Sequence, residues 1–341
     1  MSLHFGKAKM LAAVGAVAAS LVGAAPAFAQ TKLTIGSSVH SLFSLPLYLA
    51  ETKGYFKDEG LQVEITNFRG GATATPALLG GSVQLQSAAT ENMLKVVQAG
   101  QPIVAVMTVQ STVNGAIIVP QRIVDKLGRV PKIEDLKGMK VGTLARGGLS
   151  DMAMRYISNQ NKWSTTGDIT LIPLGSQDNM GPAMRAGDLD AALMVEPTQS
   201  LLVEGQKDFH YVSDMLKGQG AEVFQDMGWV TLQGKPDWIE KNRVTVEKVM
   251  RAMIKAQVFI ADPKNLEEVI VLTGRSFPAL SADVVRASVI KQVNTYAPAI
   301  TPKMIEKNNE LLITNGLLPA PIAYDRVVDK SFSALWDAFK R

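Results

Sequence analysis

Not one of the 341 residues is cysteine. That absence excludes a disulfide framework and leaves no thiol to carry a lipid anchor. An excess of one charge is also missing. Lys and Arg number 35 against 31 Asp and Glu, with no Lys/Arg-rich run, so the composition does not point to nucleic acid or a membrane surface as partner. Only three histidines occur, His4, His40 and His210, which is too few for a multi-histidine metal site once His4 is set aside with the leader described below. The chain contains no Gly-x-x-x-x-Gly-Lys-Ser/Thr loop, no Gly-x-Ser-x-Gly elbow, no His-Glu-x-x-His pair and no Gly-x-Gly-x-x-Gly after the first strand. The common phosphate-binding, hydrolase, zinc-protease and dinucleotide enzymes are therefore disfavoured. Beyond residue 25 no stretch is long and apolar enough to span a bilayer.

The first residues address the chain. Lys7 and Lys9 precede an apolar run from Met10 to Ala25, which is followed by Ala27-Phe28-Ala29. A basic start, a short apolar stretch and small residues before the cut predict a signal peptide over 1–29, cleaved before Gln30. The run is shorter than the roughly 20 residues a spanning helix needs. With no lipid-bearing cysteine, the expected compartment is the periplasm of a Gram-negative cell. Taking Lys7 and Lys9 from the 35 basic residues leaves 33 against 31 acidic, near balance. The remainder is long enough for two domains of about 150 residues each.

Along this remainder, short apolar strands alternate with amphipathic helices. Strands are expected at 33–36, 61–65, 83–86 and 103–109, with helices from Pro46, after Gly70-Gly71 and over 92–99 between them. Residues 113–120 read as a strand leaving that unit. A second series starts at 139–143 and continues through a helix (150–159), a strand (169–173), a helix (179–186) and strands at 191–195 and 211–212. Residues 228–232 resemble a returning strand, and the rest is mainly helical, ending in an amphipathic segment from Ala323 to Phe339. Such alternation argues for parallel sheets with helices on both faces. Two α/β units with the chain crossing twice suit a bilobed hinge protein; two independent domains or one large enzyme domain stay open at this point.

Particular phrases narrow the choice. Pro46-Leu47-Tyr48-Leu49-Ala50-Glu51-Thr52-Lys53-Gly54-Tyr55-Phe56-Lys57-Asp58-Glu59-Gly60-Leu61-Gln62-Val63 resembles the nitrate/sulfonate/taurine group of periplasmic binding proteins. So do Gly70-Gly71 followed by Ala77-Leu78-Leu79-Gly80-Gly81-Ser82-Val83, Ala99-Gly100-Gln101-Pro102-Ile103, Asp135-Leu136-Lys137-Gly138-Met139-Lys140-Val141-Gly142, and Met184-Arg185-Ala186-Gly187-Asp188-Leu189-Asp190-Ala191 down to Glu196-Pro197. Gln84 and Gln86 depart from the Asp and Gly usual there. The resemblance implies an α/β fold of two lobes, the type II periplasmic-binding-protein fold, with parallel-rich sheets flanked by helices and a ligand cleft between lobes. Residues 30–116 and 217–341 would form the first lobe and 117–216 the second. It implies the capture component of an ABC importer: not an enzyme, without cofactor or metal, monomeric, closing on a small organic anion and delivering it to a permease with its ATPase in the inner membrane. A nitrate or pyrimidine-precursor ligand, or a sensing role, are the alternatives. The fold is also similar to fungal enzymes that make the thiamine pyrimidine, but those carry a cysteine-rich motif that this chain lacks.

Helices that follow parallel strands start at the sheet's carboxyl edge with free N–H groups and a partial positive charge. Three segments offer that geometry: Gly70-Gly71-Ala72-Thr73, Ser87-Ala88-Ala89-Thr90 and Arg146-Gly147-Gly148-Leu149-Ser150. Gly71 and Gly148 allow close backbone approach, Thr73, Thr90 and Ser150 add hydroxyls, and Arg146 adds a cation suited to a carboxylate or sulfonate. Each also reads as an ordinary helix cap, and Arg69 as a solvated strand-end cation. Small and apolar residues around Leu42, Phe43 and Ala88 leave room for an organic body. From the resemblance, His40 and Glu196 join the candidates. His40 would lend a hydrogen bond or ring face. Glu196 would receive a ligand hydroxyl or ammonium, or instead cap the next helix.

Overall fold

The computed structural model describes residues 1, 31–165, 167–337 and 339. The expected signal peptide and its cleavage point lie outside these residues, apart from Met1. Ten strands form two five-stranded mixed sheets. The first comprises β1 (Thr31–Ser37), β2 (Leu61–Asn67), β3 (Leu85–Ala89), β4 (Val104–Gln110) and β10 (Val230–Gly234), in the order β2-β1-β3-β10-β4. The second comprises β5 (Gly115–Pro120), β6 (Lys140–Thr143), β7 (Thr170–Pro173), β8 (Ala191–Val195) and β9 (Phe209–Asp214), in the order β7-β6-β8-β5-β9.

Each sheet carries one reversed strand in its fourth place. β5, the first strand after the chain leaves the first sheet, runs antiparallel to β8 and β9. β10, the first after it leaves the second, runs antiparallel to β3 and β4. The other neighbours are parallel, with β1 in register with β2 from Thr31 opposite Leu61 to Ser37 opposite Asn67. Burial on both faces explains the apolar wording of these strands. Ile35, Leu85 and Leu232 are fully enclosed in the first sheet, and Ile118, Ala192 and Met194 in the second.

Two expectations need adjusting. The strand expected over 83–86 starts later, at Leu85. Gly81 adopts a left-handed φ of 82°, and the N–H groups of Ser82 and Val83 both bond the Ala77 carbonyl, so the helix-ending turn runs on. The amphipathic segment 323–339 is not one helix. It divides into short turns at Tyr324–Val327, Lys330–Phe332 and Ser333–Trp336. Between them Val328 bridges Ala105 in parallel, and the Asp329 N–H donates to the Ala105 carbonyl at 2.9 Å. Trp336 Nε1 donates to the Val106 carbonyl at 3.0 Å. Covering the open edge of β4 satisfies backbone groups that a continuous helix would have left exposed.

The C-terminal helices touch both sheets' surroundings. Ser288 and Lys291, in the helix Ala282–Gln292, bond Glu196 and Glu204, at 3.0 and 2.7 Å. The helix Pro302–Thr314 meets the helix Leu149–Gln160 through the Tyr156 hydroxyl, which donates to Glu310.

Phe332 is 1% exposed and anchors the edge-covering segment. Phe332→Ala is predicted to lower the unfolding free energy by about 3–5 kcal/mol in urea titrations. A loss under about 1 kcal/mol would mean that the segment is not docked on β4.

Candidate ligand-binding site

The carboxyl ends of β1, β3, β6 and β8 lead into the segments expected to hold a ligand, and two hydrogen bonds join those of the first sheet to those of the second. In the helix Thr90–Gln98, which follows β3, the Lys95 ammonium donates to the Gly147 carbonyl at 3.2 Å. After β1, the Ser41 hydroxyl donates to the Glu196 carbonyl at 3.2 Å. The ends of β3 and β1 therefore meet the ends of β6 and β8 along one seam.

On the second-sheet side, a glycine turn precedes the helix Leu149–Gln160, for which Gly148 is the cap. Gly147 takes a left-handed φ of 67°, favourable for glycine. The turn is held from within: the Leu144 N–H donates to the Ser150 hydroxyl at 2.8 Å, and the Gly147 N–H to Asp151 Oδ2 at 3.0 Å. Arg155 pairs with that Asp151 at 2.8 Å. Ser150 is thus a turn-former. The Arg146 side chain is exposed and makes no ion pair or hydrogen bond among the described residues.

On the first-sheet side, Gly71 opens the helix Gly71–Gly80, and a Cβ there would lie 3.1 Å from Asn92 Nδ2. The exposed Thr73 returns its hydroxyl to the Gly70 carbonyl at 3.1 Å. Arg69 is exposed, its backbone bridged to Val39. His40 stacks on Phe277, with centroids 4.4 Å apart, and meets the edge of Tyr48. The residue stays exposed overall, and its partial burial lowers its pKa from the ordinary imidazole value.

Three candidates turn inward. Ala88 lies inside β3, and its carbonyl accepts from Gln233 Nε2 at 2.9 Å. The Thr90 hydroxyl donates to the Gly228 carbonyl and contacts Thr231 Oγ1 at 3.2 Å. Glu196 is fully enclosed, where it accepts from Gln199 at 2.7 Å, Ser200 at 2.9 Å and Ser288 at 3.0 Å, with Lys291 at 3.7 Å. Thr90 and Glu196 were expected to offer their side chains to a solute, but both spend them on the protein. Glu196 does not cap the next helix either, since its partners are all side chains and the helix Thr198–Ser200 has Pro197 at its cap without a side-chain bond. A separate hollow of about 630 Å³, lined by Tyr156, Gln160, Glu222, Lys307 and Glu310, draws on the later turns of the Leu149–Gln160 helix and is not at its start.

Residues 43–266 match the family model described as NMT1/THI5 like. The chain belongs to that family. Among curated relatives, the putative binding protein YtlA of Bacillus subtilis is 28% identical over 311 residues, 89% of each chain. A 4-amino-5-hydroxymethyl-2-methylpyrimidine phosphate synthase of Aspergillus parasiticus is 26% identical over 243 residues, 68% of each chain. Among solved structures, the periplasmic aliphatic sulphonate binding protein SsuA of Escherichia coli superposes with a TM-score of 0.71 at 18% identity, covering 86% of this chain and 91% of that one. The periplasmic nitrate-binding protein NrtA of Synechocystis PCC 6803 gives 0.67 at 16%, covering 91% and 89%. These neighbours establish the periplasmic-binding-protein fold for this NMT1/THI5-like chain. The solved neighbours named here are binding proteins, while the synthase matches less of this chain than YtlA does.

Sequence reasoning missed Glu91, Lys95 and Trp229. Glu91 is 1% exposed in the first turn of the Thr90–Gln98 helix, and its Oε2 has no hydrogen-bond partner. Burial pushes its pKa up to about 7, with Lys95 opposing the shift. Trp229 is 4% exposed, and its Nε1 is likewise without a partner. A carboxyl whose folded pKa exceeds its unfolded value contributes stability below the unfolded value, and loses it as pH rises through the folded one. Glu91→Gln in this NMT1/THI5-like protein is accordingly predicted to melt above wild type at pH 8, by an amount on the order of 2–3 kcal/mol, and to converge with it near pH 5. Equal melting of the two at both pH values would show that Glu91 is solvated.

Proposed function

We propose that this protein is the periplasmic solute-binding component of an ABC importer, which captures a small organic anion, a sulfonate or carboxylate, and delivers it to a membrane permease and its ATPase. In this reading residues 30–116 with 217–341 and residues 117–216 act as lobes, and the solute draws them together by touching both. A ligand that contacts both lobes stabilises the shut state over the open one, which is sufficient to drive closure. The observation that carries the reading is the seam. The Lys95–Gly147 bond sets the helix that follows β3 against the very turn that presents the unpaired Arg146 guanidinium.

Anion capture suits Arg146 because a charge-assisted hydrogen bond contributes about 1.5–3 kcal/mol, and the adjacent helix start favours negative charge. A few such contacts with some apolar burial reach micromolar affinity without covalent chemistry. The synthase relatives raise an enzymatic alternative. Against it stands the absence of cysteine, since the fungal enzymes that the sequence resembles carry a cysteine-rich motif.

A thermal-shift panel of sulfonates, aromatic and aliphatic carboxylates, nitrate and aminopyrimidines tests the reading. At least one organic anion is expected to raise the melting temperature, and Arg146→Ala to weaken its binding by about tenfold or more in calorimetry. Stabilisation by cationic solutes alone, or turnover of a bound solute, would overturn it.

A further inference from the structure

We propose that Glu91 determines specificity in the cleft, selecting organic acids that also carry an amino N–H donor. The inference rests on the capture reading and adds to it the second half of the solute. Glu91 and Lys95 stand four residues apart and so share one face of the Thr90–Gln98 helix. Lys95 reaches from that face to the Gly147 carbonyl in the turn beside Arg146, so the face looks onto the seam. Glu91 lies one turn nearer the helix start, at the carboxyl end of β3. It is buried there with Oε2 unpartnered among the described residues.

Trp229 reinforces the assignment. The Thr90 N–H donates to the Trp229 carbonyl at 2.8 Å, so this residue abuts the same helix start, and its indole N–H is enclosed without an acceptor. Phe43 meets the indole edge-on with centroids 5.5 Å apart, an apolar neighbour to that N–H. An enclosed acceptor and an enclosed donor next to one helix start are groups that a protein satisfies internally unless something else supplies the partner. A solute bearing an amino group supplies it to Glu91 while its acid group faces Arg146. A solute lacking the amino group leaves the carboxyl unpaired, and sites built around a buried hydrogen bond discriminate strongly against such analogues.

The test is calorimetry with two matched pairs, para-aminobenzoate against benzoate and taurine against ethanesulfonate. In the wild-type protein at least one amino-bearing member is expected to bind about tenfold or more tightly than its partner. Glu91→Met is expected to erase that advantage. Glu91→Gln, which preserves shape, is expected to reduce the advantage of taurine by removing the ionic component, and it carries the test should the methionine variant fail to fold. If the pairs bind without preference, or the advantage persists in Glu91→Met, the inference is overturned while anion capture stands. If none of the four binds but other organic anions in the panel do, only this inference falls; if no anion binds, both fall.

Discussion

Parallel strands deliver their following helices at one edge of a sheet, and in this molecule the two such edges face each other. That constraint organises what lies at the seam. Helix starts bring unpaired N–H groups and partial positive charge. The glycine turn at Gly147 and Gly148 brings backbone close, and the Lys95 ammonium ties one edge to the other at 3.2 Å. The reversed strands β5 and β10 are the cost of crossing between sheets. Each enters its sheet against the direction of its neighbours, and two passages of chain connect the sheets.

Polar groups near the seam divide into two sets. Glu196, Thr90 and Ser150 have partners within the chain and fix the framework. Buried Glu196 in particular accepts three side-chain donors, so its carboxylate locks the start of one segment to the Ala282–Gln292 helix. Arg146, Glu91 Oε2 and Trp229 Nε1 have none among the described residues, one exposed and two enclosed. On the proposed reading the unbonded groups are those left for a solute, although Thr143 Oγ1 and Gln199 Oε1 nearby are also without partners.

Much of the architecture was legible from local wording. Buried parallel strands read as short apolar runs, and residues 191–195 were placed to the residue. The C-terminal segment was not legible as it stands, because its breaks at Val328 and Asp329 serve pairing with Ala105, more than two hundred residues earlier. Glu91 escaped notice for a related reason. A Glu and a Lys four residues apart on an amphipathic helix read as a solvated pair. What packs around this helix comes from distant parts of the chain, the helix Pro302–Thr314 among them. Glu196 was read in sequence as a ligand contact or a helix cap, and its bond from Ser288, some ninety residues on, is a third arrangement that no local pattern announces.

The most direct measurement uses the lack of native cysteine. Glu64→Cys in β2 and Thr170→Cys in β7 place thiols on exposed positions of one outer strand in each sheet, ready for a donor–acceptor dye pair. If a solute closes the two halves on one another, single-molecule energy transfer will show two populations whose balance moves to the higher-transfer state as solute is added, with half-saturation at the calorimetric affinity. A single distribution that does not shift at saturating solute would contradict the account.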